Sequence, residues 1–170
     1  MNFIRELHAY RSQKGLDVGG TVPLAFISTV NGYHSYHRKP LDGIRFMMNC
    51  QPEPTNRHDI NAVLVKAPTD VDPNILDIET HTPPRRQTVR DLLGHTIGHV
   101  PRNICGILSI CMLHRRTLQS AVCFFTGEMI HDHQGPKLKS VYCLVFDSFE
   151  SARSAADILK LYVDEQFIYI

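Results

Sequence analysis

No stretch of this chain approaches the ~18 consecutive apolar residues of a membrane-spanning helix. The opening segment, Met1-Asn-Phe-Ile-Arg-Glu-Leu-His8, lacks the charged-then-apolar order of a signal peptide, so none is expected. Cysteines stand at 50, 105, 111, 123 and 143, an odd set without a Cys-x-x-Cys pair. That argues against a zinc ribbon or a disulfide framework. Most of these cysteines sit among apolar neighbours, and the expectation is buried free thiols in a reducing compartment. The chain also lacks a Gly-x-Ser-x-Gly elbow, a phosphate-binding loop, a dinucleotide fingerprint, an ATPase motif and any internal repeat. Nothing in it reads as an enzyme, and no cofactor or metal is implied.

A large charge imbalance is missing too, since the net charge is +1. The balance hides an uneven layout. Asp70, Asp72, Asp77 and Glu79 form an acidic stretch, and Asp147, Glu150, Asp157, Asp164 and Glu165 dominate the end. Between them lie Arg38, Lys39, Arg57, Arg85, Arg86, Arg90, Arg102, Arg115 and Arg116. This layout allows a local basic site but not a broad basic coat for duplex DNA.

What is present suffices for one domain: 170 residues, 43% of them hydrophobic. Asn2 to Tyr10 has Phe3, Ile4 and Leu7 on one helical side, and Gly15 to Gly20 reads as a flexible joint. Thr21 to Val30, Ile44 to Cys50, Ala62 to Lys66 and His95 to Val100 read as strands, the first ending at an Asn31-Gly32 turn. Residues 67–91 hold four prolines and much of the acidic stretch, and read as a surface insertion with little structure. Pro101 fits a first helical position before Ile104, Ile107, Leu108 and Cys111.

Thr117 to Phe125 and Val141 to Phe146 are further strands, with Glu128 to Lys139 as their connection. A closing helix has Phe149, Ala152, Ala156, Leu159 and Val163 on one face and Asp147 or Ser148 as its cap. Phe167 to Ile170 offers an edge strand. The expected class is mainly β with two or three helices (α+β), a small, partly open barrel with helices packed across its ends. It divides into an extension over 1–20, the domain over 21–165 and a tail over 166–170.

Two motifs carry the chemistry. Pro54-Thr-Asn-Arg-His-Asp-Ile-Asn-Ala-Val63 is a polar turn entering an apolar strand, and it gathers Asn56, His58, Asp59 and Asn61. Ile97-Gly-His-Val-Pro-Arg102 is a strand that gives way to a helix. Two polar strand ends suit gripping a small polar object. Asp59 also fits a bond to its own turn, Asn61 a structural role at a strand start, and Gly98 close backbone packing. His131-Asp-His133 lacks an evident third ligand and reads as a solvated loop.

Together with Val30-Asn-Gly-Tyr-His-Ser-Tyr36, these motifs resemble the HIRAN domain over about Pro23 to Leu161. The resemblance implies an OB-like β-barrel that holds the 3′ end of single-stranded DNA without catalysis. It also implies a nuclear setting and partners such as Swi/Snf-class ATPases at stalled forks. By position, Tyr33, His34 and Tyr36 would sit on a strand end and supply base stacking and a basic contact. His58 would lie against the terminal base, with Asn56 beside it, and Asp59 would receive the 3′-hydroxyl. His99 and Arg102 would face the backbone phosphate. Ser35, His34 and Arg57 stand where the family more often has an aromatic, an arginine and a proline. A peptide-binding module using the same groove and a small metal-assisted nuclease are the alternative readings.

Overall fold

A computed structural model of the chain describes residues 3–13, 19–82 and 85–170. Its centre is a seven-stranded antiparallel sheet of β1 (Val22–Val30), β2 (Met48–Pro52), β3 (Val63–Lys66), β6 (Thr96–His99), β7 (Leu118–Asp132), β8 (Gly135–Phe146) and β9 (Ile168–Tyr169), in the order β6-β3-β2-β7-β8-β1-β9. β4 (Glu79–Thr82) and β5 (Arg85–Thr88) form a separate hairpin. The three longer helices are α1 (Phe3–Gln13), α4 (Arg102–Ser109) and α5 (Phe149–Leu159), and α2 (Tyr33–Tyr36) and α3 (Val89–Leu92) are single turns. The α+β expectation therefore holds.

Period-two alternation in the long strands feeds two cores on opposite faces of the sheet. Tyr142, Leu144 and Phe146 of β8 point into the main core with Leu24 and Phe26, whereas Val141, Cys143 and Val145 form a smaller core closed by Leu7 of α1. Burial on both faces explains the unbroken apolar run Val141–Phe146. Tyr142 is fully buried, stacks on Phe26 with ring centroids 5.1 Å apart, and donates its hydroxyl to the Thr29 carbonyl at 2.7 Å. Such a stacked pair contributes about 0.5–1.5 kcal/mol beyond its buried area.

The sheet is open rather than a closed barrel, but it curls until β6 meets the end of β1. Asn31, just past β1, and His99 of β6 exchange both backbone hydrogen bonds, each 2.9 Å. Gly98 makes that approach possible. A β-carbon there would lie 2.4 Å from the Asn31 carbonyl oxygen and 2.8 Å from Val30 Cγ1.

Several sequence expectations need correction. Residues 44–47 are not strand: the chain turns at Gly43 (φ 91°) and Phe46 N–H donates to the Gly43 carbonyl, so β2 starts only at Met48. The 67–91 segment is structured. Asp72 caps a 3₁₀ turn over Pro73–Ile75, the β4–β5 hairpin follows, Thr88 and Asp91 cap α3, and Ala67, Ile75 and Val89 enter the main core. Residues 128–139 are not a loop but the outer half of the β7–β8 hairpin, turning at His133-Gln134. Its polar sequence reflects solvent on the ribbon, where Lys139 pairs with Glu128 at 2.7 Å and Lys137 with Asp132 at 2.6 Å.

Pro101 is the residue before α4 rather than its first. Phe149 is 56% exposed, so the buried face of α5 is Ala152, Ala155, Ala156 and Leu159, with Ser148 as the cap. β9 adds the edge strand expected from the tail, pairing with Ala25 and Phe26. All five cysteines are free and buried. The expected joint at Gly15 to Gly20 falls largely outside the described residues, as do the side chains of Phe3 and Ile4.

Two tests follow. Gly98→Ala should cost about 1–3 kcal/mol in denaturant unfolding, because the added methyl group overpacks the seam. The second concerns Cys143, whose thiol burial pushes up to about 11 from its usual 9.0. As pH climbs through that interval, the unfolded chain releases this proton while the folded chain keeps it. Stability should therefore fall, by up to ~1.4 kcal/mol per pH unit from this group. In melts between pH 8 and 10, Cys143→Ala should decline less steeply than the parent protein.

Candidate functional site

The polar run 53–62 folds on itself because its side chains satisfy its own amides. Glu53 N–H donates to the Ala62 carbonyl at 2.8 Å, and Asn56 N–H to the Glu53 carbonyl at 3.0 Å. Asn56 Oδ1 accepts the His58 and Asp59 amides at 2.9 and 3.1 Å, and Asp59 Oδ1 accepts the Asn61 amide at 2.8 Å. The structural reading of Asp59 is correct as far as this oxygen goes.

Its second oxygen faces another element. Cys105, in the first turn of α4, donates its thiol to Asp59 Oδ2 (Sγ···Oδ2 3.7 Å) and lies 3.4 Å from the Arg102 carbonyl oxygen. Burial raises the Cys105 pKa first, and the Asp59 carboxylate raises it further, partly offset by Arg102. The thiol is thus a protonated donor and not a nucleophile. The loop bearing Asp59 and the helix entrance bearing Arg102 converge at this sulfur.

α2 forms the third side. Tyr33, His34 and Tyr36 were expected on a strand end, but Gly32 (φ 75°) turns the chain into a single helical turn. Tyr33 and Tyr36 therefore share helical spacing instead of alternating across a sheet. The Tyr36 ring lies 5.8 Å from that of His99, tilted by 42°. His99 Nε2 is 3.4 Å from Glu53 Oε2, which also accepts from Asn56 Nδ2 at 3.3 Å. His99 is thus paired with a carboxylate. Burial raises the Tyr36 pKa, and the Glu53 charge adds to it.

Tyr33 packs at the edge of the main core and its pKa is raised by burial. His34 is exposed, its ring 6.2 Å from Tyr33 and perpendicular to it. A β-carbon on Gly135 would lie 3.7 Å from His34 Cε1, so the β7–β8 turn stands beside α2. Gln87 of β5 donates to the carbonyl of His37, which ends α2 in a left-handed conformation (φ 53°).

Tyr36, His99, Asn56 and Asp59 thus form one linked array through Glu53, with Arg102 joined through Cys105 and His58 through its backbone. Tyr33 and His34 lie apart from these links, toward the hairpin turn. Sequence reasoning missed Glu53 and Cys105. Glu53 had one available signal, its place three residues before Asn56 at the start of the polar turn; Cys105 had none beyond an apolar helical position. His58 and Arg102 are exposed, and neither Arg57, Arg102 nor Lys39 forms an ion pair with a described residue. Among the described residues, no group of three or more His, Cys, Asp or Glu is placed to hold a metal ion.

No protein-family model and no curated protein matches the sequence. Solved structures do. The crystal structure of the HIRAN domain of human HLTF aligns with a TM-score of 0.51 and 18% identity, over 84% of this chain and 93% of that one. The chain has a HIRAN-like fold. The NMR structure of the HLTF HIRAN domain in its DNA-bound conformation aligns with a TM-score of 0.50 and 16% identity, over 88% and 95%. On this HIRAN-like fold the two motifs of the sequence come together at the junction of the 53–62 loop, α2 and α4.

The junction depends on Asn56. Asn56→Ala should leave the His58 and Asp59 amides without their acceptor, speeding their hydrogen exchange. The global cost should be about 1–2 kcal/mol in denaturant.

Proposed function

We propose that this chain is a non-catalytic DNA-binding domain that takes the end of a single strand at this junction, preferring a free 3′-hydroxyl. The observation that carries the reading is the meeting of the Asp59 carboxylate and the Arg102 helix entrance across Cys105. A carboxylate accepts a hydrogen bond from a terminal hydroxyl and repels a phosphate in the same place. Beside it, the Arg102 and Asn103 amides open α4 with no acceptor from their own helix, and Pro101 supplies no side-chain cap. They and the Arg102 guanidinium suit the preceding phosphate.

Tyr33, Tyr36 and His58 offer rings for stacking, which contributes ~1–3 kcal/mol per base and is tolerant of sequence. The similarity to a HIRAN domain solved in a DNA-bound conformation supports the same reading. A nuclear role in recruiting or positioning a Swi/Snf-class ATPase or another repair enzyme at stalled forks is the setting that fits it.

Fluorescence anisotropy with matched 3′-hydroxyl and 3′-phosphate oligonucleotides tests the proposal. The expected preference is about tenfold for the hydroxyl end, the worth of one charge-assisted hydrogen bond. Asp59→Asn keeps an acceptor for the Asn61 amide and should erase the preference without unfolding the turn. Arg102→Ala should weaken both ends alike and lower a salt slope of roughly two to four charges by about one. Equal affinity of the parent protein for the two ends would overturn the reading.

A further inference from the structure

The far end of α4 carries a different surface. After Ser109 the helix widens into a π-turn over Ile110–His114, closed by Arg115 N–H donating to the Ile110 carbonyl at 2.9 Å. Thr117 N–H then donates to the Cys111 carbonyl at 3.2 Å, with Arg116 held in a left-handed conformation (φ 53°). This exit faces α5, and between the two lies an apolar cleft of about 120 Å³ walled by Ile107, Ile110, Cys111, Ala155 and Ile158, with Arg115 at its edge. A cavity of ~150 Å³ accommodates benzene, so this one suits a single aliphatic or small aromatic side chain.

Ile110 and Ile158 are 42% and 38% exposed although they line the cleft, so its mouth opens to solvent between two apolar side chains. Contiguous apolar surface rimmed by charge marks interaction sites on soluble domains. The charge at the edge is cationic: Arg115 lines the cleft and Arg116 follows it, both exposed, and neither forms an ion pair with a described residue. Asp147, whose N–H donates to the Thr117 carbonyl at 3.0 Å, and Glu150 are exposed and form no ion pair with either arginine. The backbone bonds that close the helix fix where both guanidinium stems begin, at the edge of the cleft.

We propose that the cleft between the end of α4 and α5 docks a short acidic segment of another protein, seating one apolar side chain between Ile110 and Ile158 and a carboxylate on Arg115 or Arg116. The charge of the rim selects an acidic partner, and the size of the cleft limits it to one anchor. Ile110, at the mouth of the cleft, lies eight residues along the helix from Arg102, a rise of about 12 Å. The two sites can therefore be filled together, and this inference stands whether or not DNA is the ligand at the other end of α4.

Selection of short random peptides displayed on phage against the whole chain tests it, with Arg115→Glu and Ile158→Asp as comparison targets. Both positions are exposed, and unchanged thermal melts establish that the variants are folded. Enriched peptides should combine an aliphatic or aromatic residue with flanking Asp or Glu. As synthetic peptides they should bind Arg115→Glu about tenfold more weakly, lose affinity with salt, and fail on Ile158→Asp. Peptides that bind both variants as well as the parent, or a selection yielding no apolar–acidic pattern, would overturn the proposal. So would self-association of the chain that Ile158→Asp abolishes, because the cleft would then belong to a second copy.

Discussion

One backbone contact sets the geometry of the molecule: the pair of hydrogen bonds between Asn31 and His99, which Gly98 permits by having no side chain. It brings the edge strand β6 against the end of β1, on the far side of the sheet. Two of the three sides of the candidate site depart from this seam. Asn31-Gly32 leads directly into α2, His99 carries the ring that meets Tyr36, and Val100 and Pro101 lead into α4. The spacing of the Tyr36, His99 and Arg102 backbones is therefore set by main-chain geometry.

The seam would be of little use if the 53–62 loop were slack. It is held by Asn56 and Asp59, whose side chains substitute for the sheet partners that a loop lacks. The same carboxylate that ties the turn also reaches Cys105. Holding the turn and meeting α4 do not compete at Asp59, because its two oxygens address different neighbours.

The strands β1, β3 and β6 were legible because their apolar alternation is bounded by clear turn residues. The site motifs were legible because Asn, Asp and Gly have few other reasons to cluster at strand ends. Other parts were hidden for definable reasons. The outer half of the β7–β8 ribbon has solvent around it and cross-strand ion pairs along it, so its sequence looks like a loop. The 67–91 segment anchors itself with only a few buried side chains among prolines and acids, too sparse for any periodicity to appear. Residues 44–47 alternate like a strand, but Gly43 turns the chain there. Glu53 and Cys105 acquire their roles only through neighbours distant in sequence, which no local pattern can reveal.

The two cores have a consequence for how the molecule breathes. They lie on opposite faces of one sheet and share no buried side chain, and the smaller rests on α1 largely through Leu7. Lifting α1 would expose Phe124, Val141, Cys143 and Val145 while leaving the main core intact. Opening at the back of the sheet should therefore cost less than opening through the seam. The candidate site lies on the side of the main core, so fluctuations that bare the opposite face should leave it assembled.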